Sequence, residues 1–472
     1  MFKIPIVVVL LACAVLASGQ SGRVGPAASP SPTADVSTKT VKQLFDEANT
    51  YLQVKRQGYL DNKIKLTDAL YAQALAEQRA LAAKSAAIAA KRTDLAGEDL
   101  YHVGMLNWIA ENYDGASEWL RKYTALNDAA PERAQLARTF IVMACSKIRK
   151  LPDAEAVLTE YAAHTPVKLK QQWQMEGSLT RAYQNERDFV RMAAHATELL
   201  RASKALVKDL PVTDDVVNQI LDAGQTVFEA FSNGGDRSRA DAALDDMRKN
   251  AVEMASATFY AYAADKKIAY MIETGRKPQA LEYFITALID ATKVLPTKSA
   301  QEDAIARLKK REPQYKLLGE RAQEFPSFDK WFPGKPKKFN DLAGKVVLLD
   351  FWATWCGPCF ETYPSLREWN QDFAADGLEI LGITRYYGAE TGFAGNPAGE
   401  LDYMKNFRNA QRLPYDIVVA SDQSLQLQYA ATGLPTAVLI DRHGIIRYIE
   451  TGTSQTRLDE VRSMIQKLLA EK

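Results

Sequence analysis

The stretch Val347-Leu-Leu-Asp-Phe-Trp-Ala-Thr-Trp-Cys-Gly-Pro-Cys359 decides how this chain is read. An apolar run over 346–352, broken only by Asp350, predicts a strand buried on both faces. Two cysteines then stand three positions apart, just ahead of a segment with helical character at 359–375. The two intervening residues let both sulfurs meet in one short loop. A helix start lowers the pKa of the first thiol through its free N–H groups and positive dipole end. Cys356 is therefore the expected attacking thiolate, and Cys359, a turn further in, is suited to resolving a mixed disulfide. A purely structural bridge closing so small a loop contributes little through chain entropy, and no second C-x-x-C or His pair completes a zinc shell. Residue 360 is Phe, which excludes the C-x-x-C-H pattern of covalent haem attachment. No metal and no other cofactor is expected.

Outward from this motif, strands are predicted at 346–352, 378–384, 437–440 and 445–450, the last two flanking a turn at 441–444, with a closing amphipathic helix at 458–469. A βαβ unit followed by a ββα unit implies a mixed sheet covered by helices. The motifs resemble the thioredoxin superfamily. Residues 347–359 are similar to its active-site strand and loop, Pro364 falls where its active-site helix is kinked, and Gly433-Leu-Pro-Thr436 resembles its cis-proline loop. Leu342-Ala-Gly-Lys-Val-Val-Leu348 and the extra segment 385–423 are more like the exported TlpA/ResA-type subfamily. The resemblance spans a thioredoxin-like domain at 325–472.

That resemblance implies a role for each site residue. Asp350 is a carboxylate under the cysteine pair, raised in pKa by burial and able to exchange a proton with Cys359. Pro435, in the cis form, holds the Leu434 backbone opposite Cys356 to pair with an extended substrate segment. Trp355 supplies an apolar wall, and with Gly357, Pro358, Leu434 and Pro435 makes up the expected substrate-binding surface; Trp352 packs the domain. Thr362 stands where TlpA/ResA-type proteins often carry Glu, with Glu361 one position earlier on another helical face, and Asp350 stands where they often carry Asn. This points to a site closer to general thioredoxin than to cytochrome-maturation specialists. A peroxidase of the peroxiredoxin type would need Pro at position 350.

Before this domain, 39–323 is rich in Ala, Leu, Glu, Lys and Arg and punctuated by turn residues such as Asn112, Pro152, Gly234-Gly235 and Gly275. Ala116 to Tyr123 lines up with Ala154 to Tyr161, and a third unit places Ala193 at the equivalent position. Ala243-Leu244 and Met247 line up with Ala280-Leu281 and Phe284. Such periods predict stacked helical hairpins, an all-α solenoid similar to the tetratricopeptide family. Residues 66–90, dense in Ala, predict a long helix or helix pair.

The chain opens with Lys3, an apolar run at 4–16 and small residues at 17–19, the pattern of a signal peptide (1–19), followed by a Ser/Pro/Gly/Ala linker at 20–38. An uncleaved anchor and lipid attachment at Cys13 are the competing readings. The run is shorter than the roughly 20 apolar residues a membrane span needs. A periplasmic or otherwise extracytoplasmic location is expected.

With 472 residues the chain is long enough for about three domains. Its 59 basic and 58 acidic residues leave a net charge of +1, which gives no general attraction to nucleic acid. Four Cys exclude a disulfide-rich scaffold. His102, His164, His195 and His443 show no ligand spacing, and Cys145 reads as an inert buried thiol. The Gly-rich segment 388–399 lacks a phosphate-binding Lys-Ser/Thr and reads as a flexible loop near the active-site face. The expected function is exchange or reduction of disulfides in exported proteins, with a membrane electron donor regenerating the dithiol. The other reading is a helical scaffold that binds an exported partner, its redox domain being secondary.

Overall fold

The computed structural model describes residues 39–325 and 328–471, in two compact units, 39–254 and 255–471. The expected signal peptide and linker lie outside the described residues. Among the described residues no helix is long and apolar enough to cross a membrane.

The first unit is ten helices: α1 (Val41–Asp61), α2 (Asp68–Ala89), α3 (Glu98–Ile109), α4 (Tyr113–Thr124), α5 (Pro131–Lys147), α6 (Leu151–Ala163), α7 (Leu169–Glu186), α8 (Phe189–Val207), α9 (Asp214–Asn233) and α10 (Arg237–Glu253). Each packs chiefly on its neighbours in sequence, as stacked hairpins do. The tight hairpin turns share one backbone solution. Glu111, Arg149, Arg187 and Gly235 are left-handed, with φ between 58 and 77°, and the next residue's N–H donates to a carbonyl five positions back at 2.9–3.0 Å. That bond closes the preceding helix while the same residue N-caps the following one.

This geometry sets the true repeat. The N-caps Asn112, Lys150 and Asp188 recur every 38 residues, and four positions on stand Ala116, Ala154 and Met192, all buried. The small Ala116 and Ala154 let consecutive helices approach closely, and at the third place Met192 fills the same buried position. The expected equivalence of Ala193 is thus one residue out. The alignment of Ala243 with Ala280 is corrected as well: N-caps Asp236 and Arg276 bring Ala240 into register with Ala280, and both are fully buried, whereas Ala243 is only half-buried.

The second unit begins with three more helices, α11 (Ala257–Glu273), α12 (Lys277–Val294) and α13 (Lys298–Leu317), although the expected array runs to 323 and includes them. They are followed by β1 (Phe328–Phe332), β2 (Val346–Phe351), α14 (Gly357–Phe373), β3 (Leu378–Arg385), α15 (Pro397–Ala410), β4 (Asp416–Ala420), α16 (Ser424–Gln428), β5 (Thr436–Ile440), β6 (Ile446–Thr451) and α17 (Gln455–Ala470). The sheet order is β1-β4-β3-β2-β5-β6, mixed as expected, with β2 and β3 parallel and β2 and β5 antiparallel. All six residues of β2 are buried, the outcome for a central strand covered on both faces. Side chains alternate along it, so Val346, Leu348, Asp350 and Trp352 share one face. Apart from Asp350, these pack in one core with Tyr363 and Trp369 of α14 and Ile465 and Leu468 of α17.

The chain leaving α13 lies along the sheet edge: Gly319 N–H donates to Ile446 O and Ala322 N–H to Gly444 O, both at 2.8 Å. Otherwise β6 would present an open row of backbone groups.

Candidate functional site

The end of β2 delivers the dithiol to the start of α14. Cys356 is the N-cap, and its N–H donates to Ala353 O at 3.1 Å. Gly357 and Pro358 form the first helical positions, where a missing proline N–H costs nothing, and Cys359 N–H donates to Cys356 O at 3.0 Å. The two sulfurs are joined in a disulfide with Cα atoms 5.3 Å apart. Both cysteines are buried in one hydrophobic core of this unit, and Pro364 lies inside α14. Thr362 turns its hydroxyl back to Cys359 O at 2.8 Å.

Asp350 lies on the α14 face of β2, only 3% exposed. Burial pushes its carboxyl pKa up to about 7. Its Oδ2 makes no hydrogen bond to the described residues, and neither do Trp352 Nε1, Tyr363 OH, Thr384 Oγ1 or Tyr415 OH. These groups are neighbours. Trp352 and Tyr363 meet edge to face at 6.4 Å, and the Asp350 charge reinforces the effect of burial in raising the Tyr363 and Tyr415 hydroxyl pKa values. Gly382 pairs with Asp350 across β2 and β3; a Cβ there would stand 3.0 Å from Trp352 Nε1 and 3.2 Å from Tyr415 Cε2. Glycine at 382 is therefore what lets the indole and the phenol close over the carboxylate. The sequence pointed to Asp350 alone; Tyr363 and Tyr415 come from a helix and a loop whose approach no local pattern announces.

The Leu434–Pro435 bond is cis, and Leu434 packs against the core that holds both cysteines. Trp355 is half exposed and meets Tyr387 edge to face at 5.3 Å. Tyr387 carries the Arg385 guanidinium 4.1 Å over its ring and accepts from Gln426 at its hydroxyl. A further aromatic rim follows along α14 and α15: Phe360 and Tyr403 are exposed, and both stack toward Phe407. The sequence reading missed it, although Phe360 directly follows Cys359.

The segment read as a flexible loop at 388–399 is pinned. Buried Glu400 accepts from Tyr387 N–H at 2.9 Å, Gly388 N–H at 3.0 Å and the Thr391 hydroxyl at 2.9 Å, and α15 begins at Pro397. Three donors on one buried carboxylate hold the backbone in a single path. Cys145 belongs to the first unit, buried, with its sulfur 3.4 Å from the Ser117 hydroxyl. Among the described residues no cluster of His, Cys, Asp or Glu could hold a metal ion.

Comparison with known proteins falls on this unit. The AhpC/TSA family matches residues 318–449. Thiol-disulfide oxidoreductase ResA of Geobacillus thermodenitrificans is 32% identical over 136 residues, covering 29% of this chain and 70% of that protein. ResA of Bacillus thuringiensis is 28% identical over 152 residues, covering 32% and 78%. Among solved structures, the thioredoxin domain of a thiol-disulfide oxidoreductase from Bacteroides vulgatus aligns at 22% identity and a TM-score of 0.26, covering 31% of this chain and 97% of that one. A cysteine pair capping a helix over a buried acid thus sits in the part of the chain that aligns with these enzymes, and through that part the chain belongs to the ResA-type thiol-disulfide oxidoreductases.

Proposed function

We propose that the chain works outside the cytoplasm, reducing or exchanging disulfides in other exported proteins through Cys356 and Cys359. The observation that carries this is the Cys356–Cys359 disulfide at the N-cap of α14, with Asp350 buried on the same face of the sheet. In the reduced protein the Cys356 thiolate, stabilised by the helix start, attacks a substrate S–S bond and expels one substrate thiolate. The Cys359 thiol gives up its proton to the Asp350 carboxylate and attacks Cys356 Sγ. The second substrate thiolate leaves, and the protein disulfide forms. One substrate disulfide becomes two thiols as one protein dithiol becomes a disulfide, so an external donor must return two electrons, and we assign that to a membrane carrier.

A pKa near 7 leaves Asp350 able to take and release a proton close to neutrality. Leu434, Pro435, Trp355, Gly357 and Pro358 form the surface on which an extended substrate segment lies beside the dithiol. The apolar leader at 1–19 supports export.

The test is the full chain equilibrated against defined thiol buffers. A potential near about −270 mV marks a reductant, and one near about −120 mV a disulfide-forming oxidant. The Cys359→Ser variant should accumulate mixed disulfides on Cys356, and Cys356→Ser should lose all turnover. Retained turnover in Cys356→Ser, or partners captured only noncovalently by the helices, would return the chain to the scaffold reading.

A further inference from the structure

The residues around Pro435 are tied to helix α13, ahead of the residues where the AhpC/TSA match begins. Gln314 of α13 is buried, and its Nε2 donates to Ala430 O at 3.3 Å and to Thr451 Oγ1 at 3.1 Å. The amide's orientation is not arbitrary. Its Oε1 faces Arg311 Nη1, and a guanidinium has only donors, so the NH₂ must point to the loop.

From there the hydrogen bonds have a fixed direction. Thr436 donates its single hydroxyl proton to Gly433 O at 2.7 Å. Its contact with Thr451, 2.9 Å between hydroxyl oxygens, must then be donated by Thr451, which in turn accepts from Gln314. The chain runs Gln314 to Thr451 to Thr436 to Gly433, spanning Pro435, while Gly452 N–H donates to Pro435 O at 2.7 Å.

Gln314 is itself anchored. Arg311 donates to Ile449 O at 3.1 Å and to Asp265 of α11 at 2.8 Å, and Tyr315 donates to the same Asp265 at 2.7 Å. Burial alone would raise the Asp265 carboxyl pKa, but the charges of Arg311 and Lys266 outweigh it and keep it below its usual value. Lys266 meets Glu460 of α17 at 2.6 Å, and Tyr262 and Tyr448 donate to the same carboxylate. A fully partnered polar network of this kind fixes its members in one arrangement.

We infer that Gln314 is a positioning residue for the oxidoreductase: from α13 it holds the backbone on either side of Pro435 in the shape that pairs with an extended substrate. This rests on the function proposed above. Its consequence is selective. A loosened loop weakens pairing with a peptide backbone, yet leaves the Cys356–Cys359 chemistry toward a disulfide with no backbone to pair.

The test compares two substrates on the full chain, with a small dithiol as electron donor: a disulfide-bonded extended peptide and a small symmetric aromatic disulfide. In Gln314→Met, which keeps the volume and removes the donors, the ratio of peptide to small-disulfide kcat/KM should fall about fivefold. The fall should come through KM for the peptide, with kcat held. Thr451→Val breaks the same chain one link on and should match it, and the double variant should be no worse than either alone. An unchanged ratio in both single variants overturns the inference, and so does an equal loss toward both substrates, which marks general destabilisation. If the unaltered chain turns over neither substrate, the oxidoreductase reading falls and the inference with it.

Discussion

Two buried titratable groups, one in each unit, carry pKa values moved by opposite means. In the helical unit His195 is clasped by carboxylates: Nδ1 lies 2.7 Å from Glu176, Nε2 lies 2.9 Å from Glu155, and Tyr183 stacks on the ring. Burial pulls its pKa down, but the hydrogen bonds and charges of Glu176 and Glu155 outweigh burial and hold it above the usual value. Asp350 in the redox unit has no such partner, and burial alone moves it to about 7. A shifted pKa therefore does not by itself mark a site. A group moved by partners is tied into the structure; one moved by desolvation has no partner whose contact a change of protonation would break.

The sharpest way to break this contrast is Asp350→Asn. Folded Asp350 binds its proton more tightly than unfolded, so its ionisation costs stability progressively as pH rises from about 4 to about 7 and fully above. The variant should be more stable at pH 8 by on the order of 4 kcal/mol, converging with the unaltered chain near pH 4, as read from urea midpoints at each pH. Its mixed-disulfide resolution should nonetheless slow about a hundredfold. An equally stable Asp350→Asn at pH 8 would show that the carboxylate is solvated in the folded state.

His195→Ala should do the reverse, losing about 3 kcal/mol at pH 5 because Glu176 is left buried without its cation. With a raised pKa, the His195 contribution is present at low pH and fades as pH climbs through the folded value, so the difference between the two proteins should shrink in alkaline urea titrations. Next comes Gly382→Ala, whose Cβ would meet Ile417 Cδ1 at 2.6 Å as well as Trp352 and Tyr415; calorimetry should show a loss of about 2 kcal/mol. The smallest effect belongs to Tyr363→Phe. Its hydroxyl has no partner to lose, so stability should change by less than about 1 kcal/mol. Should that hydroxyl turn to the carboxylate once it ionises, the apparent pKa of the resolving step rises by about half a unit; no movement would place Tyr363 outside the proton path.

The sequence was most readable where one short segment carries everything. Residues 347–359 hold the strand, the cap and the cysteines within a few positions, and the Gly433 to Thr436 loop carries its proline in plain view. What stayed hidden is assembled across elements. Trp352, Tyr363, Thr384 and Tyr415 arrive from four separate segments, and Gly382 looks like any apolar strand residue until the neighbours it admits are seen. Strands β1 and β4 are five residues each, and α15 follows a Gly-rich stretch whose order comes from one buried glutamate. Helix α13 is crowded with Lys, Arg and Glu, yet Arg311 and Gln314 point inward. In the array, alignment on Ala found the repetition but set the register wrongly at Ala193 and Ala243, because Ala is too common to align on; the left-handed turn residues fix it.

The ties from α11 and α13 to β6 and α17 also bear on how such a protein could be inherited. A cut at the compositional change near residue 325 would leave Glu450 and Glu460 without Arg311 and Lys266. Moved to another chain as one piece, 255–471 would carry these ion pairs with it, its flanking helices travelling along.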